Sequence, residues 1–266
     1  MMRVAWQTIA LRVYAAVFYL FLYVPILVLV LLSFNDSPAM GFPILGFTTK
    51  WYNDVLAGGE LVAAMTNSVM IGTVSAGIAT TLALLASLGL RHRFPLKGVV
   101  FPVIIIPVVM PGIVSGVLML VYIGVSGLPY GLWSAVLPAH ITWVLPFSFL
   151  TLHPQISRFD SALEEAAMDL GAKPREVFTR VLFPIVRPAL IATLLFSFTI
   201  SFDEFIRTLF VISVDRTVPV YLWVLITDRV VPFLPAIGVV LMAISMLIAG
   251  AGFVLSQTSS SRGSTK

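Results

Sequence analysis

Three charged residues interrupt a long apolar stretch late in the chain: Asp203, Glu204 and Arg207. A charged side chain at membrane depth is costly and generally faces a cavity or a partner. Carboxylates in such a position suit an ammonium or similar cation. Adjacent residues on a helix point about 100° apart, so one of the two acids is enough to face a pore. The alternative is structural, because Arg207 can pair with Glu204 at i+3 or with Asp203 at i+4. We predict that Asp203 or Glu204 lines a pathway for a cation, and that the other acid pairs with Arg207.

Other residue types that do chemistry are scarce. The chain has no cysteine, which excludes disulfides and thiolate metal sites. Its histidines, His92, His140 and His153, are not at ligand spacing, so no metal site is expected. His140 is predicted to be a packed, hydrogen-bonded residue. No Gly-x-x-x-x-Gly-Lys-Ser/Thr phosphate loop is present. The sequence therefore predicts no catalytic residue and no cofactor bound by this chain.

The composition identifies lipid as the solvent. The chain has 266 residues, of which 59% are hydrophobic and 11% are charged, and its mean hydropathy is +1.03. Soluble domains are about 45–50% apolar. The net charge of +4 is therefore read through its distribution across a membrane, and no nucleic-acid partner is expected.

The apolar stretches predict an all-α polytopic membrane protein with six transmembrane helices. A span needs roughly 20 mostly apolar residues. The fifth predicted span contains the three charges in its second half, and Pro102, Pro107 and Pro111 are expected to break or kink the third. The predicted six-span transmembrane domain covers residues 14–256, between an N-terminal segment 1–13 and a disordered tail 257–266. The predicted spans lie near residues 14–34, 61–90, 99–123, 132–152, 185–211 and 231–255.

Lys and Arg residues predict that both termini are cytoplasmic. Six spans place both termini on one side of the membrane, and the segments on that side contain 12 of the 16 Lys and Arg residues. These are Arg3, Arg12, Arg91, Arg93, Lys97, Arg158, Lys173, Arg175, Arg180, Arg187, Arg262 and Lys266. The remaining 4 are Lys50, Arg207, Arg216 and Arg229. An excess of positive residues marks the cytoplasmic side, so the loop 158–187 is predicted to be cytoplasmic.

The loop 158–187 predicts two short helices joined by a glycine turn. Asp160 or Ser161 can cap the first helix, and Gly171 is typical of its C-terminal end. Pro174 suits the first turn of a second helix, which Pro184 is expected to close before the fifth span. The alternative is an ordinary amphipathic helix that rests on lipid. The acidic residues near the start of the first helix are Glu164 and Glu165. Its one apolar face is formed by Leu163, Ala166, Ala167 and Leu170.

This loop resembles the EAA loop of bacterial ABC importer permeases, whose pattern is Glu-Ala-Ala, three residues, Gly, nine residues, Ile-x-Leu-Pro. The matching positions here are Glu165, Ala166, Ala167, Gly171 and Pro184. The pattern's Ile and Leu are replaced by Val181 and Phe183, which remain apolar. In that family the loop inserts into a groove on the ATPase subunit. The resemblance implies that these residues couple the chain to a partner ATPase, which binds the ATP and Mg.

Stretches at residues 47–52, 66–68, 106–111 and 201–205 look like the spermidine/putrescine branch of that family. The resemblance implies a type I permease-like fold and an inner-membrane subunit that translocates polyamines or a similar cation. It also implies a second homologous permease subunit, a dimer of ATPase subunits and a periplasmic solute-binding protein.

Three alternatives remain open beside that resemblance. One is an ABC permease for another solute, such as iron, thiamine, an opine or an amino-acid derivative. Another is an ion-gradient-driven secondary transporter, although the two halves show no convincing repeat. The third is a non-transporting membrane assembly factor.

Overall fold

The computed structural model describes residues 2–38, 41–92, 95–228 and 231–261, with side chains between Thr8 and Leu247. Within these residues the regular elements are helices, and the extended backbone pairs at an isolated bridge between Asn35 and Phe47. The helices are α1 (Met2–Ser33), α2 (Lys50–Ala57), α3 (Glu60–Gly89), α4 (Lys97–Val109), α5 (Gly112–Ser126), α6 (Leu137–Ser157), α7 (Ser161–Asp169), α8 (Pro174–Val177), α9 (Phe183–Phe202), α10 (Ile206–Val211), α11 (Val218–Asp228) and α12 (Leu234–Ser261). Single π-helical turns, Leu132–Val136 and Phe178–Leu182, precede α6 and α9.

The all-α membrane architecture is confirmed. Among the described residues, four helical stretches are long and apolar enough to cross a membrane: Thr8–Ser33, Glu60–Gly89, Leu132–Ser157 and Pro174–Phe202. They coincide with the first, second, fourth and fifth predicted spans. The sixth predicted span corresponds to α12, which has 28 residues.

The third predicted span is not one straight helix. It consists of α4 and α5, which are bent by 105° at a short break. Met110 is extended at the break, with ψ 132°, and Pro111 follows it. A proline disfavours the helical conformation of the residue before it and offers no backbone N–H, so the helix ends there. Pro102 and Pro107 stay inside α4, and the predicted break is therefore due to Pro111.

The fifth predicted span has different boundaries at both ends. Its helix begins at Pro174, because the second loop helix runs through the π-helical turn into α9. The prediction that Pro184 separates the two was wrong: Pro184 lies just after the π-helical turn, and the helix continues through it. The helix then ends at Phe202, so Asp203 and Glu204 lie in a break before α10 and not on a helix face.

One compact unit contains α1, α2 and α12. The chain after α1 is held by the aromatic residues of α2. The Trp51 indole N–H donates to the Asn35 carbonyl at 2.8 Å, and the Tyr52 hydroxyl lies 2.7 Å from Ser33 Oγ. The last described helix reaches Ser261, beyond the predicted start of the tail at residue 257, and residues 262–266 lie outside the described part.

The second unit runs from Val62 to Trp223 and contains the candidate sites. Small residues let α5 approach α10 closely. A Cβ added at Gly116 would lie 2.5 Å from the Phe210 ring, and one at Gly112 would lie 3.4 Å from Ile206. Glycines four residues apart are a common device for close helix packing in membranes. The unit's two apolar clusters centre on Ile71, Ile123, Val136 and Val211 and on Ala83, Phe149, Leu152 and Ile156.

Candidate functional site

The break between α9 and α10 separates the two adjacent acids into different environments. Glu204 is buried, with 7% of its surface exposed, whereas Asp203 is exposed. The Arg207 guanidinium donates to Oε2 of Glu204 at 3.0 Å, and the Arg207 backbone N–H donates to Oε1 at 2.8 Å. Glu204 therefore caps the start of α10 and neutralises Arg207. Of the two pairings that the spacing allowed, the structure contains the i+3 pair.

Arg207 also contacts an aromatic ring. Its guanidinium carbon lies 3.6 Å from the centroid of Trp143 on α6. A cation–π contact of this kind is strongest where both groups are removed from water, and Arg207 is 6% exposed. The spacing of Trp143 and Arg207 in the chain does not predict this contact. Together, Glu204 and Trp143 account for the charge of Arg207 without a ligand.

Asp203 is the acid that remains available. It takes part in none of the ion pairs found among the described residues. Its backbone ends α9, with its N–H donating to the Thr199 carbonyl at 3.1 Å. A cavity of 470 Å³ lies beside the bend between α4 and α5, but it is lined by Arg207, and Asp203 is not among its lining residues. A cation site at this break would therefore be centred on Asp203.

Buried hydroxyl groups and one imidazole connect the helices around the break. His140 on α6 lies 2.7 Å from both Ser201 Oγ and Thr208 Oγ1. Ser201 Oγ lies 2.7 Å from Ser75 Oγ on α3. His140 is thus a packed, hydrogen-bonded residue, as the sequence predicted.

The predicted helix–turn–helix is present in the loop 158–187. Asp160 caps α7 by accepting from the Ala162 N–H at 2.9 Å. Gly171 has a φ of +87°, which L side chains rarely adopt. Its N–H donates to the Met168 carbonyl at 2.8 Å, and the Ala172 N–H donates to the Ala167 carbonyl at 3.0 Å. These two bonds form a Schellman motif, so the glycine is required by the backbone of the turn.

The outward face of α7 is apolar, and none of the described residues covers it. Leu163 is 47% exposed and Leu170 is 90% exposed. Glu165 and Ala166 are exposed beside them, while Ala167 is half-buried. Burying an isolated Leu side chain contributes about 1.5–3 kcal/mol, so a partner that covers this face would gain stability. The positions predicted to couple to a partner, Glu165 to Gly171, are thus accessible.

An ion pair that sequence reasoning missed holds α7 in place. Arg91, just after α3, donates to both carboxylate oxygens of Glu164 at 2.6 and 3.2 Å. Its guanidinium also lies 5.3 Å from the Phe159 ring centroid. The pair lines a cavity of 890 Å³ between the loop and the ends of α3 and α6. Glu164 thus fixes the loop to the second span, and Glu165 remains exposed. Their separation in sequence left no local signal for this contact.

The comparisons with known proteins match this architecture. Residues 79–262 match the family described as binding-protein-dependent transport system inner membrane component. The chain belongs to this family. It is therefore a multi-pass inner-membrane permease component of a transport system. A crystal structure of a bacterial ABC transporter involved in the import of the acidic polysaccharide alginate has the same fold, with a TM-score of 0.70, 16% identity and 95% of each chain covered.

Curated relatives are similar over most of the chain. The spermidine/putrescine transport system permease protein PotC of Haemophilus influenzae is 34% identical over 243 residues, which is 91% of this chain and 92% of the relative. PotC of Escherichia coli K12 is 32% identical over 232 residues, 86% of this chain and 87% of the relative. The putrescine transport system permease protein PotI of the same strain is 33% identical over 199 residues, 72% of this chain and 70% of the relative.

Proposed function

We propose that this chain is the permease subunit of an ABC importer that translocates polyamines, such as spermidine or putrescine, or a similar small cation. The observation that carries the proposal is the 34% identity to a spermidine/putrescine permease along 91% of the chain. The stretches that the sequence shares with that branch include residues 201–205, which contain the helix break.

Asp203 is the residue proposed to meet the cation. It is exposed at the break, whereas Glu204 is already paired with Arg207. A polyamine is a chain of ammonium groups, and a carboxylate without an ion pair among the described residues can form a charge-assisted hydrogen bond with one of them. The Phe205 ring, two residues away, packs on Trp223 with 5.3 Å between ring centroids. Aromatic faces attract cations as well, so the surroundings suit an alkylammonium group.

The loop 158–187 is proposed to receive the motion of a separate ATPase. Glu165, Ala166, Ala167 and Gly171 match the positions at which the family's loop docks, and the exposed apolar face of α7 supports a docking role. Pro184 is proposed to act from within the first turn of α9, where the loop helix continues into a span. A force on α7 would thus reach the membrane through the Gly171 turn and the continuous helix from Pro174 to Phe202. In this arrangement the ATPase subunits bind the ATP and Mg and perform the hydrolysis.

The complete importer is proposed to contain four kinds of component. This chain and a second homologous permease subunit form the pore, two ATPase subunits dock at the cytoplasmic loops, and a periplasmic solute-binding protein delivers the substrate. The family description, which names binding-protein-dependent transport, supports the last of these. Both termini and the loop 158–187 are proposed to face the cytoplasm.

The test is uptake by the purified transporter reconstituted in proteoliposomes with its ATPase, its partner permease and its binding protein. Radiolabelled spermidine should accumulate only when ATP is supplied on the side of the loop 158–187. Uptake without ATP that follows an ion gradient would indicate a secondary transporter instead. ATP-dependent uptake of iron or thiamine, with no uptake of spermidine or putrescine, would retain the ABC permease and overturn the polyamine assignment.

A further inference from the structure

A buried chain of hydrogen bonds crosses the break between α9 and α10, and His140 of α6 lies at its centre. Its Nδ1 lies 2.7 Å from Ser201 Oγ on α9, and its Nε2 lies 2.7 Å from Thr208 Oγ1 on α10. All three residues are at most 1% exposed. One imidazole ring therefore links the two helices that flank Asp203.

The hydrogen-bonded chain can run in either direction. If the Thr208 hydroxyl donates to the Glu204 carbonyl at 3.1 Å, its oxygen accepts from His140 Nε2–H, and Nδ1 is then the acceptor for the Ser201 hydroxyl. If the Ser75 hydroxyl instead donates to a carbonyl of its own helix at 3.2 Å, it accepts from Ser201, and the other tautomer of His140 reverses each bond. In both tautomers the imidazole joins Ser201 to Thr208.

The same helix holds α10 at a second point. Trp143 lies one turn after His140 on α6, and its ring lies under the guanidinium of Arg207. Arg207 in turn binds Glu204, which is adjacent to Asp203. Helix α6 therefore contacts α10 at Thr208 and Arg207, and it contacts the end of α9 at Ser201. Asp203 lies between these attachments.

We infer that His140 is a positioning residue for transport: by joining Ser201 to Thr208 it holds the break in the geometry that presents Asp203 to a cationic substrate. The inference rests on the proposed cation-binding role of Asp203. A buried hydrogen-bonded network gives a unique geometry when each member is satisfied, and here each hydroxyl and each ring nitrogen has a partner. Loss of one link would let the acid move without removing it.

Two variants cut the network on the same side of the imidazole ring. His140→Asn keeps an acceptor near the position of Nδ1 but is too short to reach Thr208. Thr208→Val keeps the branched shape and removes the hydroxyl. In proteoliposomes with the complete transporter, each should raise the KM for spermidine uptake about five- to tenfold, the effect of losing one buried hydrogen bond. The maximal rate per inserted transporter should change little.

The double variant tests whether the two residues act as one unit. Because both single changes break the same link, His140→Asn combined with Thr208→Val should raise KM no further than either alone. Additive effects, or single variants with wild-type KM, would overturn the inference.

Ser148→Ala is the matched control. Ser148 and Ser197 form a buried hydroxyl pair at 2.7 Å that also joins α6 to α9, but away from the break. Its loss should lower thermal stability and leave KM unchanged. If Ser148→Ala raised KM as much as His140→Asn, general loosening of the helix pair would explain both, and the positioning role would be wrong.

A substrate-independent measurement separates this inference from the proposed function. The chain has no cysteine, so spin labels can be placed at Leu195→Cys on α9 and Leu209→Cys on α10 once partner cysteines are removed. Both positions are exposed. The distance distribution between the labels should broaden in His140→Asn and not in Ser148→Ala. An unchanged distribution in His140→Asn would refute the positioning role even if spermidine is not the substrate. Absence of spermidine uptake by the wild-type transporter would refute only the polyamine assignment.

Discussion

At the scale of single residues, the two neighbouring acids are expected to give different phenotypes when their charge is removed. Asp203→Asn preserves size and removes the exposed charge. If Asp203 binds an ammonium group, the KM for spermidine should rise about tenfold or more, since a hydrogen bond to a charged group contributes about 1.5–3 kcal/mol. The amount of protein in the membrane should not change. Asp215→Asn, at another exposed acid, is the control and should behave as wild type. Normal uptake by Asp203→Asn would remove the main physical argument for a cationic substrate.

Glu204→Gln is expected to impair stability more than substrate affinity. The change leaves the buried Arg207 without its counter-ion, although the amide oxygen can still accept from the Arg207 N–H. Removing one partner of a buried ion pair costs about 3–5 kcal/mol, and the retained hydrogen bond should bring the loss towards the lower end. A lower midpoint of thermal unfolding for the purified complex would show this effect. Wild-type stability together with abolished uptake would instead exchange the roles of the two acids.

The sequence identified these three charges but could not assign their pairing. Spacing alone allowed Arg207 to pair with either acid, and it assumed a helix that continues through Asp203. The helix ends at Phe202, and the position of Arg207 depends on Trp143, which lies on another span. Such contacts between distant segments leave no local pattern. His140 shows the reverse case, because a lone polar residue within an apolar span already predicted a hydrogen-bonded environment.

At the scale of helices, Gly171 can be required for two reasons. The backbone of the turn needs a positive φ, and a docked partner needs the absence of a side chain. A Cβ at this position would meet none of the described atoms within 4 Å, so the site has room for a Cβ. The remaining penalty is the positive φ, which costs a non-glycine residue about 1–2 kcal/mol and is smaller for Asn.

We predict that Gly171→Val uncouples transport, with strongly reduced ATP-dependent uptake and a normal amount of protein in the membrane. If the turn alone is responsible, Gly171→Asn should retain most uptake, because Asn tolerates the left-handed conformation. Loss of uptake and of ATPase copurification in both variants would show that the partner needs the empty space at this position. Normal uptake by Gly171→Val would contradict the coupling role of the loop.

The ends of the loop helices could be predicted from the sequence. The continuity of the second loop helix, α8, with the span helix α9 could not. Asp160, Gly171 and Pro174 are local signals, and each has the structural role that its type suggested. Pro184 was expected to end a helix, as a proline in a helix interior usually does, but it lies just after a π-helical turn and the helix continues through it. The π-helical turn before α9 connects the two segments, and nothing in the apolar pattern marks it.

At the scale of the whole molecule, one ion pair constrains the path of the chain through the membrane. Arg91 and Glu164 are in contact, so the loops that contain them lie on the same side. An even number of crossings must separate them. Helix α6 provides one crossing, and the bent pair α4–α5 must therefore provide the other and not turn back on itself. With α1 and α3 before Arg91, and α9 and α12 after Glu164, both termini are expected on that same side. The Lys and Arg distribution identifies this side as the cytoplasm, and Arg207, counted as external, is in fact buried within the second unit.

Reporter fusions test this path directly. Fusions after Lys97, Lys173 and Lys266 should be active in the cytoplasm, and fusions at Asp54, Gly127 and Asp215 should be active outside. Gly127 is the most informative position, because it follows α5 and distinguishes a bent span from a re-entrant loop. A cytoplasmic signal there would mean that α4 and α5 form a re-entrant hairpin, which would place Arg91 and Glu164 on opposite sides and is incompatible with their contact. A cytoplasmic signal at Asp54 would invert the orientation and remove α7 from the reach of a cytoplasmic ATPase.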